Sequence, residues 1–423
     1  AEERRKREEE SKATGAPVRV RKATRWPLAA GIAAVLLVAG AVGILEVVPL
    51  NNYIGDAQQI LSKRLGVPVT ISKLRYSLLR QQLILEQVGI GKLQEVKVDT
   101  IAISAFPTTL LGEAKSFDEV EATSVNIDQD SLALVPEWIK PQSAGQPLHV
   151  RRLKLKSVKL AVKTLDLQPF DADITLGSNG ALQRARLSDG KLRLDIAPKD
   201  KAIRVGLEAS NWKPPLGPAV EFDELALEAI FEPQQVSITG IEGKIGFAPV
   251  KGSAKASWGG GGIRVEGDFS VTNGDLAKLM AMFTRDFSAS GQLTANATYA
   301  LQGTTLENLF AEQKVEATFS IDRGVLINVD LVRSVQSPSR DGLRGGKTAF
   351  NTLSGSLQVA GKNYSFRQLQ LASGPMNANG NVEVAANGDL SGRVSAELGS
   401  KSFIVARGTL NVGGNLKTPT LKP

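Results

Sequence analysis

The sequence predicts a mainly β protein: one N-terminal transmembrane helix followed by a long, curled antiparallel β-sheet of groove-like form, with few short helices. Three observations carry that expectation. From Val69 onward apolar residues recur with period two, the spacing of a half-buried strand. Asn-Gly pairs at 179–180, 273–274, 379–380 and 387–388, with Asp-Gly at 189–190, are the strongest short-range signal for hairpins. Trp26–Leu45 is twenty residues without a charge, enough helix to cross the hydrocarbon core of a bilayer.

Residues 1–24 open with the mixed-charge run AEERRKREEESK and the break TGAP, and read as a cytoplasmic tail without a packed core. Arg19, Arg21, Lys22 and Arg25 flank the apolar span, so residues 25–48 are an anchor with its N-terminus in the cytoplasm and the long C-terminal part outside it. A cleaved signal peptide is the rival reading, because Ala39-Gly40-Ala41 has small-x-small spacing. The apolar run passes those residues to Leu45 and resumes at Val47 and Val48.

Residues 49–66 predict an amphipathic juxtamembrane helix. Asn51 and Asn52 offer caps, Tyr53, Ile54, Ala57, Ile60, Leu61 and Leu65 share a face, and Gly66 is the stop. Strands then follow over 67–285 and 286–423. Val96, Val98, Ile101 and Ile103 are one such run. Leu153, Leu155, Val158, Leu160 and Val162 form another, followed by Leu192, Leu194 and Ile196, then Ile203, Val205 and Leu207. Helical interruptions are expected only at Pro107–Leu111, Asp275–Phe283 and Leu306–Glu312. At one strand per dozen residues the sheet would hold about 25 to 30 strands and stretch about 120 Å. An apolar face of that size, with 5% aromatic residues, is expected to curl or hold something apolar rather than lie bare.

The composition removes several kinds of chemistry. There is no cysteine and one histidine, His149, so thiolate catalysis, disulfides and His/Cys zinc sites are excluded, and a Ser-His-Asp triad would have to use a histidine set among basic strand residues. No catalytic residue, metal ligand or cofactor is assigned, and an enzyme is not expected. Of the net charge of +8, half lies in residues 1–26, with nine basic and five acidic side chains. That excess serves topology and anionic head groups; with so few aromatics, no nucleic-acid partner is expected.

Local lookalikes have plainer readings. Gly345-Gly346-Lys347-Thr348 ends like a phosphate loop, but Asp341 stands where the motif needs glycine and a strand follows instead of a helix. Gly259–Gly262 reads as a hairpin tip. The acidic pairs Asp118-Glu119 and Asp223-Glu224 read as a hydrated strand face. Arg151, Arg152, Lys154 and Lys156, with Lys159 and Lys163, form the densest basic cluster outside the tail. The first four are candidates for head-group or partner contacts.

Two regions carry a family resemblance. Tyr53 in a short helix, then Leu65-Gly66-Val67-Pro68-Val69-Thr70-Ile71, resembles the opening of AsmA-like proteins. Ser290-Gly291-Gln292-Leu293, Phe319 to Leu326 with Val329-Asp330-Leu331, Phe350 to Leu357, Leu369 to Ser373, and Gly408 to Pro419 are similar to that family's C-terminal strands. The resemblance implies an inner-membrane-anchored, single-pass bacterial protein with its bulk in the periplasm. It also implies an apolar groove that binds phospholipid or another acyl-chain lipid, serving phospholipid movement to the outer membrane and outer-membrane homeostasis. Leu153, Leu155, Leu192, Leu194, Ile196, Ile203, Val205 and Leu207 are the representative lining residues expected from alternation. The rival expectation is a structural scaffold in an envelope assembly or in outer-membrane protein biogenesis, with envelope proteins as partners.

Overall fold

The computed structural model describes residues 47–104, 116–128, 149–161, 167–215, 220–284, 286–400 and 403–423. The span Trp26–Leu45 and the helix expected at Pro107–Leu111 lie outside these residues. Among the described residues no helix is long and apolar enough to cross a membrane.

Twenty-two strands build one sheet. The first five are β1 (Val47–Pro49), β2 (Val69–Ser77), β3 (Gln82–Ile90), β4 (Val96–Ser104) and β5 (Ser116–Asp128). Next come β6 (His149–Ala161), β7 (Phe170–Leu176), β8 (Leu182–Ser188), β9 (Leu192–Lys199), β10 (Ala202–Trp212) and β11 (Phe222–Glu232). The long central strands are β12 (Gln235–Ile245), β13 (Ala248–Gly259), β14 (Gly262–Asp275), β15 (Ala289–Gly303), β16 (Lys314–Ile327) and β17 (Lys347–Ala360). The last are β18 (Asn363–Ser373), β19 (Met376–Val384), β20 (Leu390–Ser400), β21 (Phe403–Gly414) and β22 (Pro419–Lys422). Three α-helices interrupt them: α1 (Ile54–Leu65), α2 (Leu276–Phe283) and α3 (Leu331–Gln336).

Each strand pairs with its neighbours in sequence, so the sheet is a meander. Every ladder is antiparallel except β5 with β6, which is parallel. Period-two alternation is the same in both arrangements, which is why the one parallel pair is invisible to a pattern reading.

The expected curl is corrected. The sheet is long, open and uncurled. The expectation assumed an apolar face with nothing to cover it. Instead all three helices lie at one margin of that face, and away from them many of its side chains, Leu194, Val205 and Leu207 among them, are only half-buried. With 21 steps of about 4.8 Å the sheet spans about 100 Å. That is less than expected because β13 to β17 run to 12–15 residues each.

Local signals explain most elements. Helix α1 ends at Gly66 with φ 71°, the left-handed stop the sequence promised. Its start differs: Asn51 and Asn52 lie in a 3-10 turn, and Asn51 Oδ1 accepts from Leu74 N (3.2 Å) rather than capping the helix. Ile54, Ala57, Leu61 and Leu65 pack on β2–β5, whereas Tyr53 and Ile60 remain exposed. Asp275 caps α2 by accepting from Ala277 N and Lys278 N. Leu306–Glu312 is a run of bends and turns, not a helix. Helix α3 went unforeseen behind its family-like Asp330-Leu331; Asp330 is its cap, accepting from Arg333 N at 2.9 Å.

Asn179-Gly180, Asp189-Gly190 and Asn387-Gly388 occupy turns between strands as expected. The other two pairs lie inside strands. Asn273 (φ 51°) makes a bulge in β14 just before α2. Gly380 sits where a Cβ would meet Arg393 O at 2.3 Å, so close backbone approach, not turning, selects glycine there.

Candidate apolar binding face

In an antiparallel ladder, directly opposed residues project from the same side of the sheet. Following the register from strand to strand therefore traces rows across the molecule. One row begins Leu74, Leu85, Ile101, Ala122 on β2–β5 and crosses the parallel pair to Leu155. It continues through Ala172, Leu187, Leu194, Leu207, Leu227 and Ile241 to Gly252 and Phe269. It ends through Ala297, Ala317, Leu357, Phe366, Val382, Gly392, Val412 and Leu421. One residue from every strand β2–β22 takes part, and none is polar or charged. The row is about 95 Å long.

A second row lies beside it. It runs Tyr76, Leu83, Ile103, Val120, Leu153, Ile174, Ala185, Ile196, Val205, Ala229. From there it passes through Ile238, Ala254, Gly267, Tyr299, Val315, Val359, Tyr364, Val384 and Leu390. Its only polar groups are tyrosine hydroxyls. That of Tyr299 donates to Ser253 O (3.0 Å), and burial pushes its pKa up, with Asp268 adding to the shift.

The helices define which margin is closed. Strand β2 starts, and β14 and β16 end, at the same margin, so α1, α2 and α3 all attach there. Helix α1 covers Val69, Ile71, Val88 and Val96. Helix α2 packs by Leu279 and Met282 on Val250 and Val271, and α3 packs by Leu331 on Phe350, Leu371 and Leu410. Burial falls away from them: Val250 is 1% and Ala209 6% exposed, Leu207 and Val205 are half-buried, and Ile203 at the far margin is 45% exposed. No described helix rests on β7–β10.

All eight expected lining residues project from this one face. Leu155, Leu194 and Leu207 are in the first row, Leu153, Ile196 and Val205 in the second. Leu192 stands beside Ala209 toward the helices, and Ile203 beside Phe231 toward the open margin.

No protein-family model, curated protein or solved structure matches this chain.

The opposite face is charged and internally paired. Lys154 Nζ lies 2.9 Å from Glu119 and Lys156 Nζ 2.8 Å from Glu121. Arg152 lies 3.9 Å from Glu119 and 3.6 Å from Asp173, and Arg151 is 3.8 Å from Asp118. The four basic head-group candidates thus face carboxylates of β5 and β7. Asp118-Glu119 is spent the same way, while Asp223 accepts from Phe247 N (2.7 Å) and Glu224 pairs with Lys244 (2.8 Å). Arg184 grips Asp195 in a fork, with Nε 2.9 Å from Oδ1, and this hydrogen bonding holds the Asp195 carboxyl below its ordinary pKa. The phosphate-loop lookalike is structural: Thr348 Oγ1, buried, donates to Val329 O (2.7 Å) and accepts from Leu331 N (3.0 Å), fixing the start of α3. Among the described residues no cluster of His, Cys, Asp or Glu is arranged to hold a metal.

Sequence reading missed the rows themselves. Alternation says which residues share a face within a strand, but only the register says that their neighbours align over the full sheet.

Proposed function

We propose that this chain is a membrane-anchored lipid-shielding protein of the AsmA-like kind, whose uncovered apolar rows accept acyl chains. In this reading Trp26–Leu45 fixes it in the bacterial inner membrane, and the sheet stands in the periplasm as a route for phospholipid toward the outer membrane. The observation that carries the reading is the unbroken apolar row from Leu74 to Leu421 beside the half-exposed second row. A sheet needing only a core would bury its apolar face throughout, whereas here much of that face, including Leu194, Ile196, Val205, Leu207 and Leu227, is left half-buried and Ile203 and Phe231 are exposed. At about 0.8 kcal/mol per methylene covered, an acyl chain binds such a surface with no polar pocket.

The test is to purify the full chain in a detergent with no ester-linked chains and analyse bound molecules by mass spectrometry. Phospholipid at one or more per chain supports the proposal. Chain free of lipid, or stoichiometric envelope protein in its place, favours the scaffold reading.

A further inference from the structure

The register fixes where the chain enters the sheet. Strand β1 pairs antiparallel with β2, Val47 opposite Ser77 and Pro49 opposite Arg75, so residue 47 stands at the open margin beside the β2–β3 turn, residues 78–81. Val47 follows Leu45, the end of the uncharged span, by two positions. Two Cα steps, one strand pairing and one further step keep Leu78 within about 16 Å of Leu45. Turns at a sheet margin are ordinarily polar, yet this one presents Leu78 and Leu79, 46% and 65% exposed. Arg80 follows them, also exposed, and its backbone N donates to Ser77 Oγ (3.4 Å) to close the turn. Among the described residues Arg80 has no ion pair. Residues 47–49, 77–82 and 104 meet at this corner and include no Asp or Glu, in contrast to the neutralised cluster on β6.

We infer that the β2–β3 turn is a second membrane contact, with Leu78 and Leu79 entering the head-group boundary of the bilayer that holds Trp26–Leu45 and Arg80 meeting lipid phosphate. The inference rests on the anchor reading proposed above and deepens it. Where the chain leaves the described residues, and the area on offer, together decide the occupant. The uncharged span ends two positions before Val47, which brings a bilayer surface to this corner and to no other. A second copy or a protein partner needs about 800 Å² on each side, which two leucines and an arginine in one turn do not supply. A lipid interface has no such minimum and takes apolar side chains beside a cation. Anchor and turn together fix the tilt of the sheet. They also seat the start of the second row, Tyr76, Leu83 and Ile103, directly behind the turn at the leaflet surface.

The absence of cysteine permits single labels. The full chain carrying Leu79→Cys with an environment-sensitive dye is reconstituted in nanodiscs of phosphatidylcholine and phosphatidylglycerol, with acyl chains either plain or brominated near the head group. Emission should shift to the blue in plain discs and be quenched in brominated ones. A dye at Leu36→Cys, inside the uncharged span, should be quenched as well. A dye at Leu93→Cys, 86% exposed in the β3–β4 turn at the other end of β3 and about 30 Å away, should not. Adding Leu78→Asp should remove most of the quenching at position 79 and leave that at position 36 intact. If Leu79→Cys does not fold, Leu78→Cys carries the dye and Leu79→Asp is the added substitution. Quenching at 36 with none at 79 overturns the turn contact and leaves the anchor standing, whereas quenching at neither overturns both. Equal quenching at 79 and 93, quenching at 79 indifferent to Leu78→Asp, or a shift at 79 that follows the number of chains per disc also overturns the inference, the last by assigning the turn to a second copy.

Discussion

Breaking both apolar rows at β10, by Val205→Asp with Leu207→Asp, should stop lipid transit while leaving the protein folded. Leu207 is half-buried between Leu194 and Leu227. One leaflet of a bilayer core is about 15 Å deep, so one acyl chain covers about three strand steps of 4.8 Å. A chain centred on Leu207 therefore lies on these three residues and their second-row neighbours. Covering the open half of a leucine is worth about 1 kcal/mol. Forcing a chain over a carboxylate adds about 1–2 kcal/mol of desolvation. Together the loss is about 2–3 kcal/mol, or roughly 30- to 150-fold in local affinity. The folded state loses less, about 1 kcal/mol per site, since both positions already meet water. Transfer of labelled phospholipid between donor and acceptor vesicles by the reconstituted full chain should fall at least about thirtyfold, with bound lipid reduced only in part because the rows on either side persist. Unchanged transfer in a folded double variant would refute the reasoning, as would a loss accounted for by unfolding.

Leu61→Asp should destabilise the end of the sheet by about 2–4 kcal/mol, since Leu61 joins α1 to the Val69–Val98 cluster; hydrogen exchange should rise in β2–β5 and stay unchanged in β17–β22. Thr348→Val should cost about 1–3 kcal/mol by orphaning Leu331 N and Val329 O, read as a lower denaturation midpoint. Asp195 has a folded pKa below its ordinary 3.8, so its contribution is fully present above that value and is lost as pH falls below it toward the lowered one. Asp195→Asn should flatten acid denaturation in that window, and an unchanged acid limb would count against the ion pair.

The strands were legible because Leu192-x-Leu194-x-Ile196 and Ile203-x-Val205-x-Leu207 alternate without interruption, and Asp189-Gly190 marks the turn before them. Helix α2 was legible through Asp275 and its 3.6-period face. Helix α3 has six residues, too few for a period to emerge, and only its Asp330 cap and Thr348 anchor hold it. Asn273-Gly274 and Asn379-Gly380 misled because one dipeptide serves turns, bulges and close backbone approach, and which one applies depends on the partner strand. The openness of the sheet was illegible for a similar reason. Whether an apolar face curls depends on where the helices come to rest, and their shared margin follows from strand direction counted through the parallel β5–β6 pair.

The central claim is that acyl chains lie along the first two rows. A phospholipid with a photoreactive group near its acyl terminus, cross-linked to the reconstituted full chain and mapped by peptide mass spectrometry, tests it most directly. Adducts should fall on row residues such as Leu194, Leu207, Leu227 and Ile241, and on none of the charged-face residues between them, such as Arg193, Glu208 and Glu242. Adducts spread equally over both faces, or confined to residues 26–45, would contradict it.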